Sequence, residues 1–163
     1  MTLYDYNLAL DLYYYTSTWK EQKKILKKSD LELFMRDRGS KIDLLNIQWI
    51  YRAKKYYNMK PADIYLMLIP IHYKLSTELV KDMVEAPGVE EFENVVIRTT
   101  YARHYNFKQN LTMEQMYADC LHHLYTADRR RSDSVSAINT YLLLKEEELK
   151  KLTTGYGMRP VRD

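Results

Sequence analysis

The chain has 163 residues, 25 Lys/Arg against 22 Asp/Glu for a net charge of +3, and only four Gly and four Pro. That length buries about 70% of the unfolded surface in one domain or two small ones. The charge balance lacks the strong basic excess of a dedicated nucleic-acid binder, and so few turn residues disfavour meanders and barrels. One cysteine, Cys120, excludes an intramolecular disulfide and fits a reducing compartment. No uninterrupted apolar stretch approaches 18 residues, and Met1–Leu12 carries Asp5 and Asp11 in place of the basic start of a signal peptide. The expectation is a soluble, cytoplasmic chain. Sixteen Tyr, which join apolar area to a polar tip, suit half-buried faces and interfaces.

Taken in order, the segments read almost entirely as helix. From Tyr4 to about Lys28, Leu8, Leu12, Tyr15, Trp19 and Leu26 share one narrow arc, with Lys20, Glu21 and Lys24 outside it. Ser29 or Asp30 caps a short helix through Leu33, Phe34 and Arg38, which Gly39-Ser40 breaks. In Lys41–Tyr57, Ile42, Leu45, Trp49, Ala53 and Tyr56 form one apolar stripe, and Leu44, Ile47 and Tyr51 a second on the opposite side. Lys41, Gln48, Arg52 and Lys55 make a solvated strip between them, with Asp43 and Lys54 on the other boundary. A helix apolar on two sides is sandwiched between neighbours. Its aromatics and cations therefore lie on different faces and do not interleave toward a nucleic acid.

Pro61 opens a helix over Ala62–Ile69 that Pro70 ends, and Ser76-Thr77-Glu78 starts another through Val84. After a Pro87-Gly88 turn, Val89, Phe92, Val96 and Thr99 mark a further amphipathic helix, and residues 102–110 read as a connector. Thr112 caps a helix with the stripe Met113, Met116, Tyr117, Cys120, Leu121, Leu124 and Ala127, closed by Arg129, Arg130 and Arg131 at its negative end. Ser132 or Asp133 opens the last helix, with Val135, Ile138, Leu142, Leu149 and Leu152 inward and Glu146–Lys150 and Glu147–Lys151 pairs outside. A faint repeat relates "ALDLYYY" (9–15) to "ADCLHHL" (118–124) and "NIQWIYRAKK" (46–55) to "NTYLLLKEEE" (139–148).

The residues carry little that points to chemistry. There is no Gly-rich phosphate loop, G-x-S-x-G or H-E-x-x-H pattern. His122 and His123 lie about 100° apart around a helix, from the 3.6-residue turn. Cys120 and His123 are spaced i, i+3, but Cys120 falls in the apolar stripe, where a small buried hydrophobe is the simpler reading. No catalytic, cofactor-binding or metal-binding residue is assigned. Arg129–Arg131 could meet phosphates, though charge at a helix terminus accounts for them. Asn46 lies within the apolar arc between Ile42 and Ala53 and reads as a buried amide bonded to a helix terminus, fixing the packing register.

These residues also carry a resemblance. "SKIDLLNIQWIYRAKKYYNMKPADIYLMLIPIHYKL" (40–75) and "VSAINTYLLLKEEELKKLTT" (135–154) resemble the C-terminal half of the C-type (C/d) subunit family of V-type ATPases, found in archaea and bacteria and, as the d-type member, in eukaryotes. "YDYNLALDLYYYTSTWK" (4–20) is similar to the same family. The combination of Asp43, Asn46, Ile47, Arg52, Lys54 and Tyr56 with Ile69-Pro70 downstream is its most specific part. The resemblance implies an all-α fold, a multi-helix bundle of duplicated units forming part of a funnel-shaped subunit. It implies one helical unit over 1–110 and a second, incomplete one over 111–163. The implied role is non-catalytic: a coupler of the central rotor, without cofactor or membrane span, on the cytoplasmic face of the membrane. Its implied partners are the central stalk subunits D and F and the membrane proteolipid (c) ring. The chain is shorter than a full member, and the expectation is that the first unit and part of the second are missing from it. From the residues alone, a free-standing helical adaptor using its Tyr- and Met-rich faces is the alternative. An RNA-binding helical module, marked by steep loss of affinity with salt, is a third reading.

Overall fold

The computed structural model describes residues 3–26, 28–104 and 112–126, with further helical positions between 137 and 152. Every α-helix it gives follows from an apolar period, and among the described residues there is no strand. The order is α1 (Leu3–Ile25), α2 (Lys28–Tyr57), α3 (Pro61–Met67), α4 (Thr77–Glu85), α5 (Val89–Val96), a 3₁₀ turn (Tyr101–His104) and α6 (Met113–Thr126). The chain divides into two compact units, residues 1–121 and 122–163.

The first unit is organised on α2. Its apolar stripes are both buried: Ile42 and Ala53 on one, Leu44, Ile47 and Tyr51 on the other. Ile42 forms a cluster with Ile69 and Ile71, against which Leu12, Tyr15 and Trp19 of α1 and Leu45 and Trp49 of α2 pack. Tyr51 meets Phe92 of α5 with ring centroids 6.0 Å apart. The expected sandwich is therefore present. Tyr56 is the exception, 58% exposed with the Lys55 ammonium over its ring. It lies in the last turn, just before Asn58 takes φ 46° and the Met59 N–H donates to the Ala53 carbonyl. That bond across a left-handed residue closes the helix end.

Two expected boundaries are corrected. The first helix ends at Ile25 instead of near Lys28, and Lys28, at φ 47°, opens α2. More importantly, α2 runs unbroken through Gly39-Ser40. Glycine lowers helix propensity by about 1 kcal/mol, which argues for a break. Its role here is instead to admit Tyr73, since a Cβ on Gly39 would stand 2.6 Å from Tyr73 Cγ and 2.7 Å from its Cβ. Gly39→Ala should therefore destabilise, because overpacking costs about 1–3 kcal/mol and exceeds the propensity gain. A urea midpoint raised by this substitution would contradict the close approach.

The shorter helices follow their caps. Pro61 opens α3, which ends at Met67, so Ile69 lies beyond it. Ser76 Oγ accepts from the Leu79 N–H at the start of α4. Thr112 and Gln115 form a reciprocal capping box at α6: Thr112 Oγ1 accepts from the Gln115 N–H, and Gln115 Oε1 from the Thr112 N–H. Met113, Met116, Cys120 and Leu121 are buried as expected, whereas Ala127 and Arg129–Arg131 lie outside the described residues.

In the second unit, Thr140 Oγ1 is buried and donates to the Tyr125 carbonyl at 2.6 Å. This turns the other side of the last helix outward. Ile138, Leu142, Leu149 and Leu152, expected to point inward, are each more than half exposed. They do share one arc, as their spacing requires. Val135, Glu147, Lys150 and Lys151 lie outside the described side chains, and Lys145 pairs with Glu148 at 2.7 Å.

Candidate interaction site

The polar residues of α2 separate into those bonded within the unit and those left at its surface. Asn46 is fully buried. Its Nδ2 donates to the Ile69 carbonyl at 3.0 Å, and its Oδ1 accepts from the Ile69 N–H at 2.9 Å. One side-chain amide thus satisfies both backbone groups of a residue just past the end of α3. The expected buried, register-fixing amide is present.

Asp43, expected on the boundary between the two stripes of α2, is carried fully into the interior. It is 0% exposed. Oδ1 accepts from the Tyr73 N–H at 3.0 Å. Oδ2 accepts from the N–H groups of Lys74 at 2.6 Å and Leu75 at 3.2 Å, and from the Tyr101 hydroxyl at 2.7 Å. Burial, and then the Asp43 charge, push the Tyr101 phenol well above the usual tyrosine range, so it remains a donor. The connection between α3 and α4 is therefore held at both ends by α2: at Ile69 by Asn46 and at 73–75 by Asp43. A buried loop must satisfy its backbone groups in some such way.

Lys54 is likewise turned inward. Its Nζ donates to the carbonyls of Val84 at 2.7 Å and Ala86 at 2.6 Å, at the end of α4. An ammonium there satisfies terminal carbonyls and meets the negative end of the helix dipole. Burial holds its pKa below the usual lysine value. Lys55 is exposed and contacts the Tyr51 hydroxyl and ring.

Arg52 differs from all of these. It is exposed and, with Asp11 and Asn7 of α1, edges an open groove of about 580 Å³. The groove floor is apolar: Leu8, Trp49, Ala53, Tyr57, Met59 and Met67. It lies where the amino-terminal half of α1 faces the last turns of α2, Met59 in the connection that follows, and the end of α3. The carboxyl-terminal half of α1 is the closely packed part, with Trp19 5.7 Å from Phe34 ring to ring. Sequence reasoning places Leu8 and Trp49 in apolar arcs but does not bring them together with Tyr57 and Met67. Their common signal, apolar residues at the open end of a helix pair, is visible only once the pairing is known.

The remaining candidates are not brought together. Cys120 is buried, donates to the Tyr101 carbonyl at 3.6 Å, and has its thiol pushed up to about 11 by burial and by Asp119. His122 and His123 are exposed, and among the described residues no group of three His, Cys, Asp or Glu could hold a metal ion. No helix among those residues is long and apolar enough to cross a membrane.

Neither the curated proteins nor the solved structures contain a significant match to the chain. The family described as "ATP synthase (C/AC39) subunit", by contrast, matches over residues 1–154. That span includes α2 with its two polar clamps, the groove, and every described element. The chain belongs to the ATP synthase C/AC39 subunit family.

Proposed function

We propose that the chain is a non-catalytic coupling subunit in the central rotor of a V-type ion-translocating ATPase. In this reading it joins the central stalk, subunits D and F, to the membrane proteolipid ring at the cytoplasmic face. The observation that carries it is the family match over residues 1–154. An all-helical chain whose polar residues are spent on holding its own loops suits a mechanical part. The proposed two units, 1–110 and 111–163, are repeats of one helical pattern. The test is purification of the tagged chain from its native membranes. ATPase subunits, stalk and ring components among them, should co-purify in fixed proportion. ATP-driven ion uptake should be lost from vesicles lacking the chain and return on adding it back. Recovery of no ATPase subunit would overturn this function and favour a self-contained adaptor.

A further inference from the structure

We infer that the groove edged by Asp11 and Arg52 seats one apolar-faced helix of another protein of the complex, with a basic side chain opposite Asp11 and an acidic one opposite Arg52. This rests on the proposed membership of an assembled ATPase.

Three observations carry it. The first is the floor. Leu8, Trp49, Tyr57, Met59 and Met67 offer aromatic and thioether surface, which accommodates a helix face through adaptable packing. The second is the opening. Asn7, Asp11, Arg52 and Tyr57 are all exposed. A small molecule is ordinarily enclosed over 70–90% of its surface, which a groove open along one side does not provide. One face of a helix needs only that degree of cover, and the walls here are themselves helices. The third is charge. Among the described residues neither Asp11 nor Arg52 has an ion pair or hydrogen bond, although Asp43, Asn46 and Lys54 on the same helix as Arg52 are all bonded inside the unit. Two opposite charges left at the rim of an apolar floor select a partner by sign and fix its direction.

The experiment uses the chain carrying Tyr57→Cys, labelled with an environment-sensitive dye. Cys120 is buried with its thiol pushed up to about 11, so it stays protonated at neutral pH and the label goes to position 57. The labelled chain is titrated with the remaining ATPase subunits, purified without it. A saturable blue shift is expected at position 57 and none from the same dye on Ile97→Cys, an exposed position on no wall of the groove. Arg52→Glu and, independently, Asp11→Lys should each weaken the titration tenfold or more. Both sites are exposed, so neither change threatens folding. Co-elution of the chain with the complex, with the dye at position 57 unmoved or both rim variants binding as tightly as the parent, would overturn this inference and leave the coupling function standing. A shift driven by the chain's own concentration would make a second copy the occupant and equally overturn it. No co-elution at all would sink the coupling function, and this inference with it.

Discussion

Asp43→Asn should destabilise the protein almost as much as Asp43→Ala, by about 4 kcal/mol, a loss at the exceptional end of single substitutions. The two side chains are nearly isosteric, so lost packing would predict a mild effect. The hydrogen bonds predict a severe one. Both carboxylate oxygens of Asp43 accept, one from Tyr73 and the other from Lys74, Leu75 and Tyr101. An amide replaces one acceptor with a donor and sets it against N–H and O–H groups that point at it. Hydrogen bonds to a charged group are worth about 1.5–3 kcal/mol each, and buried donors left without acceptors add their own penalty. Equilibrium urea unfolding of both variants checks this. An Asn variant within about 1 kcal/mol of the parent, the range of an ordinary substitution, would show that the carboxylate is not the organising group.

Asn46→Leu is expected to cost about 2 kcal/mol, since it leaves the buried Ile69 N–H without its acceptor, at about 1–3 kcal/mol for such a group, while the Ile69 carbonyl keeps only the Ile71 N–H. The two side chains have the same branching and number of heavy atoms, and the site is fully buried. Hydrophobic gain alone would therefore predict stabilisation, so the sign of the change discriminates. Lys55→Ala on the same helix should change stability by no more than about 1 kcal/mol, the range of an exposed cation–π contact. Equal small effects at the two positions would mean that the amide carries no more than its volume.

The contrast between Asn46 and Asp43 shows how far the sequence can be read. Asn46 interrupts an apolar arc, and a polar residue inside such an arc advertises its burial. Asp43 sits at the edge of the same arc, where a carboxylate normally faces water. What buries it is a row of N–H groups some thirty residues later, and nothing local announces them. The spacing holds one usable signal: Asp43 and Asn46 are three apart, on one side of α2. Gly39-Ser40 misleads for the opposite reason, because propensity speaks for the isolated helix while the Tyr73 ring decides the folded one. In the last helix the period correctly groups Ile138, Leu142, Leu149 and Leu152. Periodicity shows which residues share a face, however, and cannot show that the face is covered. The groove is least legible of all, since its lining comes from three helices whose pairing no single stretch specifies.

The unbroken course of α2 has a mechanical meaning. Thirty residues at about 1.5 Å each make a rod about 45 Å long. A glycine near its middle would ordinarily be its most compliant point, where bending strain collects and twist is lost. Here that point is backed by Tyr73, whose own backbone is tied to the next turn of the rod through Asp43. The brace spans the weak place. Load entering at one end of α2 is thus carried past Gly39 by two parallel routes, the helix itself and the braced loop. The rod stays stiff in torsion where its sequence alone would make it yield.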